Sequence, residues 1–173
     1  MLIHVTDKQE AQILAWLQSG TLKETFRPVL HGIYKYAQRG VYLATNGFSL
    51  FAVKQDQLPV LADLPDNSVH ILNNNKAVRK TADQYLEAEL ETDAMPNVEP
   101  SFEAVIAEKE TASLYVTQSI IQAMFNMPVE SRGVILRMFV GTNHTGYVSV
   151  ESSDGNFIAF CASCGWPDTV QDK

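Results

Sequence analysis

The sequence predicts an α+β protein in which antiparallel sheets carry two helices on one face, arranged as two β-α-β-β-β units. Three observations predict it. The stretch from Arg27 to Val53 reads as consecutive antiparallel strands, two amphipathic helical segments each open on a capping threonine, and the element order of the first third returns in the last. The return has similar but unequal offsets: Thr117 stands 111 residues after Thr6, and Arg132 stands 105 after Arg27. Self-similarity of this kind marks a repeated supersecondary unit.

In chain order, Ile3-His4-Val5 reads as a short strand, and Thr6-Asp7-Lys8-Gln9 as a capping box with Thr6 accepting and Gln9 reaching back. Ile13, Leu14 and Leu17 follow at helical spacing beside Trp16, and Gly20 ends a helix over Thr6 to Ser19. Arg27 to Tyr36 is expected as a strand, because Val29, Ile33, Tyr34 and Tyr36 suit a pleated surface, with a turn at Gln38-Arg39-Gly40. Val41 to Thr45 and Phe48 to Val53 then form a hairpin around Asn46-Gly47, both of which tolerate positive φ. Leu58-Pro59 and Leu64-Pro65-Asp66-Asn67 punctuate a loop, and Ser68 to Leu72 reads as a strand.

Asn73 to Asn75 are expected to cap a short helix from Lys76 to about Leu86. Leu86, Ala88 and Leu90 alternate with Glu87, Glu89 and Glu91, as a strand with one solvated face does. Met95-Pro96-Asn97-Val98 marks a turn or edge, and Phe102 to Ile106 another short strand. The repeat opens with a strand at Leu114 to Thr117 and a helix from Thr117 to Met127 that carries Ile120, Ile121, Met124 and Phe125. Strands at Arg132 to Leu136, Tyr147 to Val150 and Asn156 to Ala162 complete it, with Ser152-Ser153-Asp154-Gly155 at the last turn. With no long linker, residues 1–173 are expected as a single domain, its half-units at about 1–54 and 111–165 and a connecting segment at about 55–110.

The chemistry is sparse. No glycine-rich phosphate loop, nucleophile elbow or paired metal-ligand motif occurs, so no enzyme activity, catalytic residue or cofactor is expected. Cys161-Ala162-Ser163-Cys164 is compatible with a redox pair or half a zinc site. The histidines are scattered singly and the motif ends an apolar strand, so two reduced structural thiols and no bound metal are the expectation. No apolar run reaches the ~18 residues of a membrane span, and the start has no basic region leading an apolar one, so a cytoplasmic protein is expected. A formal net charge of −7 argues against a surface that coats nucleic acid. A local basic face stays open: on a helix, Lys76, Arg79 and Lys80 would share one side, either as solvated charges or as contacts to duplex DNA.

Ala44-Thr45-Asn46-Gly47-Phe48-Ser49-Leu50, preceded by Arg27-Pro28-Val29-Leu30, resembles the Ala-Thr-Asp-Gly-His-Arg-Leu segment of bacterial DNA polymerase sliding clamps. Asn46 stands where that family has Asp, and Phe48 and Ser49 where it has His and Arg. Met95 to Val98 with Phe102 to Ile106, Ser131 to Val150, and Ser68 to Asp83 are similar to further clamp segments in the same order, although only the Ala-Thr-Asn-Gly segment is near-specific. The resemblance implies a sliding-clamp-like fold and a non-enzymatic protein of DNA replication or repair, in the manner of a processivity factor. Its partners would be a DNA polymerase or other replication and repair proteins, with duplex DNA a further candidate. It also implies a partner-peptide pocket formed by Thr45, Gly47, Phe48, Ser49 and Leu50, with Pro96 beside them. Against this, Phe48 and Leu50 read equally well as core. A clamp ring needs six such domains, so a ring from this chain requires a homo-oligomer. The alternative is a clamp-fold protein-binding module, of phage or mobile-element type, that does not encircle DNA.

Overall fold

A computed structural model describes residues 1–22, 26–73, 78–99, 118–128, 134–140 and 146–162. They form a mostly antiparallel sheet with two helices. The strands are β1 (Leu2–Val5), β2 (Ile33–Tyr36), β3 (Val41–Thr45), β4 (Ser49–Lys54), β5 (Val69–Leu72), β6 (Gln84–Glu91), β7 (Val134–Val140), β8 (Gly146–Ser152) and β9 (Phe157–Ala162). The helices are α1 (Lys8–Ser19) and α2 (Gln118–Phe125).

Strand order among the described residues is β1-β6-β5-β2-β3-β4-β9-β8-β7, with every neighbouring pair antiparallel. The centre is the β4–β9 pair, in register from Ser49 opposite Cys161 to Val53 opposite Phe157. Outward from it the chain order is mirrored, β4-β3-β2 on one side and β9-β8-β7 on the other. The strands expected at Phe102 to Ile106 and Leu114 to Thr117 lie outside the described residues.

The middle strands are apolar on both faces because both faces are covered. Tyr42, Ala44, Phe51 and Val53 point into the core beneath the helices, with Leu14 and Leu17 of α1 and Met124 of α2. Leu43, Leu50 and Ala52 alternate to the opposite face, where they pack with Tyr36, Val98 and Phe160. Trp16 joins helices and sheet. Its ring stacks on Phe51 at 4.9 Å and meets Phe157 edge-on at 5.8 Å, and its Nε1 donates to the Ala123 carbonyl at 3.2 Å.

Four expectations are corrected. The N-cap of α1 is Asp7, whose Oδ1 accepts from the Glu10 amide at 2.9 Å, instead of Thr6. The side chain of Glu10 is drawn away to accept from the Val60 amide at 3.2 Å, a tertiary contact. Arg27 to Tyr36 is not one strand, since Pro28–His31 forms a 3-10 turn that buries Val29 and Leu30 before β2 begins. The hairpin uses positive φ at Gly47 alone, while Asn46 contributes its side chain. The helix from Lys76 to Leu86 is absent over its described part: residues 78–83 are irregular, and β6 starts at Gln84. There Val78 is buried in the core and the Gln84 amide binds the segment's backbone, donating to the carbonyls of Arg79 (2.6 Å) and Thr81 (2.8 Å). Arg79 and Lys80 are exposed in this turn, and Lys76 lies outside the described residues, so the expected three-charge helix face is not seen.

Lys35, in the middle of β2, is buried. Its ammonium donates to the carbonyls of Ala62 at 2.8 Å and Leu64 at 2.7 Å and pairs with Asp66 at 2.9 Å. These bonds tie the loop carrying the buried Leu61 and Leu64 to the sheet. Among the described residues, no helix is long and apolar enough to cross a membrane.

Candidate functional site

On the face of the sheet away from the helices lies a groove of about 330 Å³, lined by Arg27, Leu30, Thr45, Gly47, Phe48, Ser49, Leu50, Pro96, Asn97, Val98 and Phe160. Four elements build it. The 3-10 turn brings Leu30, with Arg27 at its start, and the β3–β4 hairpin brings residues 45–50. Phe160 comes from β9 because it stands opposite Leu50 in the register. The irregular segment after β6 supplies the wall of Pro96, Asn97 and Val98.

The polar groups of the hairpin tip satisfy one another. The Asn46 Oδ1 accepts from the Phe48 amide (2.9 Å), the Ser49 amide (2.8 Å) and the Ser49 hydroxyl (3.1 Å). The Thr45 hydroxyl donates to the Ser49 carbonyl at 2.6 Å and accepts from the Gly47 amide at 3.1 Å. Gly47 sits at φ 89°, where a side chain is strained by the backbone alone, since a Cβ there would meet only Leu30 at 4.0 Å.

The hydroxyls of Thr45 and Ser49 are therefore used inside the turn, and both residues are buried. The groove has an apolar interior and a mixed rim, where Arg27 and Asn97 stand exposed beside Phe48 and Pro96. Leu30, Leu50 and Phe160 form a buried floor, while Phe48 is 71% exposed at the rim and Phe26, next to Arg27, is 70% exposed. Exposed aromatic rings beside an apolar floor are the composition of a docking surface.

The wall is tied to the sheet. Val98 is buried against Tyr36, Leu43, Leu50, Ala52 and Phe160, with Met95 packed beside it. The Glu99 carboxylate accepts from the Tyr36 hydroxyl at 2.6 Å and from Arg39 Nε at 3.3 Å, and it also pairs with the other arm of that guanidinium. The Arg39 guanidinium, and then the Tyr36 hydroxyl, hold the Glu99 carboxyl below the usual carboxylate range, and the same bond pushes the Tyr36 phenol up.

All six residues expected at a pocket, Thr45, Gly47, Phe48, Ser49, Leu50 and Pro96, line this one groove. Arg79 and Lys80 do not line it. Sequence reasoning passed over Arg27, Leu30, Asn97, Val98 and Phe160 as lining. All five stand in stretches singled out on other grounds, Phe160 in the strand expected from Asn156 to Ala162, but only the β4–β9 register brings Phe160 to the groove. Cys161 is fully buried on β9 opposite Ser49 and Val148, and Cys164 lies outside the described residues.

No protein-family model and no curated protein matches the sequence. Among solved structures the chain is similar to the DNA polymerase sliding clamp from Bacillus subtilis, at 13% identity and a TM-score of 0.32, over 94% of this chain and 48% of that one. It is also similar to the Helicobacter pylori beta clamp in complex with 3,4-difluorobenzamide, at 9% identity and a TM-score of 0.32, over 94% of this chain and 49% of that one. The chain thus spans about half the length of the clamp chains it matches. Superposition at this TM-score carries no weight for function; the groove's own residues do.

Proposed function

We propose that this protein is a non-enzymatic, clamp-like docking protein of DNA replication or repair, and that its groove takes an apolar segment of a partner such as a polymerase. The observation that supports it is the convergence of Thr45, Gly47, Phe48, Ser49, Leu50 and Pro96 on one apolar-floored groove. Those positions carry the resemblance to the clamp partner-peptide pocket. The loss of the family's His and Arg at 48 and 49 is offset by an exposed Phe48, so recognition rests on apolar contact. Two β-α-β-β-β units are part of the same proposal, supported by the mirrored strand order about the β4–β9 pair.

Charge favours a form that docks proteins without encircling DNA. Helix α1 has Lys8 and Glu10 as its charged residues, and α2 has none. The exposed helix positions Gln9, Gln118, Ser119 and Gln122 are neutral, and the whole chain carries −7. A helix layer of this kind offers phosphates little to neutralise, whereas affinity for duplex DNA comes chiefly from such neutralisation.

The test is to select peptides from a random dodecamer display library on the full chain and measure one of them, fluorescein-labelled, by anisotropy. The selected peptide should carry apolar anchors, and Phe48→Asp should weaken it roughly tenfold or more, the effect of replacing an aromatic contact at the rim with a charge. Peptides that bind Phe48→Asp as well as the parent would exclude this groove as the docking site.

A further inference from the structure

We propose that Glu99 is a positioning residue for the groove: through Arg39 and Tyr36 it holds the Pro96–Val98 wall over the sheet and so sets how tightly an apolar segment binds. The inference rests on the docking reading above and adds a residue that does not touch the ligand. Glu99, Arg39 and Tyr36 are all absent from the groove lining, yet they bracket it. Tyr36 belongs to the same buried cluster as the floor residues Leu50 and Phe160 and the wall residue Val98. Glu99 follows Val98 directly in the chain.

The wall has no strand partner: residues 92–98 are irregular, so the sheet ladder does not hold it. Apolar contact by Val98 and Met95 presses the segment onto the sheet, but such contact is non-directional. Direction comes from the Glu99 carboxylate, which meets the Tyr36 hydroxyl and the fork of Arg39 at once. Glu99 is further set by its own amide, which donates to the Asn97 Oδ1 at 3.1 Å and links the anchor to a residue that lines the groove.

The pair is about a third exposed on each side (31% and 33%), so solvent screens it and its contribution to global stability is small. Its loss should therefore appear locally, in the order of the wall and the affinity of the groove. A residue that merely supports the fold would instead lower the melting temperature along with both.

The experiment uses the full chain and the fluorescein-labelled peptide recovered from the display selection. Amide exchange at position 99, whose amide donates to Asn97, peptide affinity and thermal midpoint are measured for the parent, Glu99→Gln, Tyr36→Phe, Arg39→Glu, and the reversed pair Arg39→Glu with Glu99→Arg. Glu99→Gln and Tyr36→Phe should speed exchange of the position-99 amide about tenfold and weaken the peptide five- to twentyfold, with the thermal midpoint nearly unchanged. The reversed pair should recover most of the affinity that Arg39→Glu loses. Parent-like exchange and affinity in Glu99→Gln overturn the inference while leaving the docking reading intact. So does a loss of affinity that merely tracks a fall in thermal midpoint. A parent that binds no peptide in a Phe48-dependent way defeats the docking reading itself, and with it any role of Glu99 in binding.

Discussion

Asn46 is the residue at which the groove is most exposed to a single change. Replacing it by alanine removes the acceptor for three donors, the amides of Phe48 and Ser49 and the Ser49 hydroxyl. They are not equivalent. Phe48 is exposed, so water can take its amide and the loss there is at the low end of the ~0.5–1.5 kcal/mol of an ordinary hydrogen bond. Ser49 is 5% exposed, so its amide is left unsatisfied at a cost of about 1–3 kcal/mol, while its hydroxyl is free to rotate toward another acceptor. The expected destabilisation is about 1.5–3 kcal/mol, which for a chain of this size lowers the thermal midpoint by roughly 4–10 °C. Asn46→Asp should behave oppositely, because a carboxylate accepts the same bonds more strongly. Urea unfolding followed by circular dichroism, compared at constant m-value, measures both variants. An alanine variant within about 0.5 kcal/mol of the parent, the scatter of an ordinary surface substitution, or an aspartate variant as damaged as alanine, would refute the account of the turn.

Lys35→Met keeps the aliphatic stem but strands the Ala62 and Leu64 carbonyls, and should cost about 2–4 kcal/mol, read as a lower urea midpoint. A neutral outcome would mean that the loop is held by Leu61 and Leu64 alone. Duplex DNA should show no salt-steep binding to the parent at low salt, and the triple alanine variant of Lys76, Arg79 and Lys80 should be indistinguishable from it. Affinity that falls steeply with salt in the parent and flattens in the triple variant, by up to ~0.9 in log–log slope per phosphate contact, would reinstate the DNA-facing assignment.

The alternation of Leu50 and Ala52 with Phe51 and Val53 was legible in the sequence, and so was the hairpin at Gly47. Both depend on residues adjacent in the chain, where side-chain period and backbone tolerance act locally. The helical spacing of Ile13, Leu14 and Leu17 placed α1 for the same reason. Contacts between distant segments decided the rest. Glu10 of α1 accepts from the Val60 amide, and Val78 is buried in the core with its amide donating to Gln18 where a helix was expected. The residues of the hairpin tip and Pro96 could be named from the chain. Their assembly into a groove could not, because the floor needs Phe160 to lie opposite Leu50 and the wall needs Glu99 to reach Tyr36 and Arg39. Strand register and side-chain reach across a fold are set by the packing of both faces of a sheet at once, and no local window of sequence contains that information.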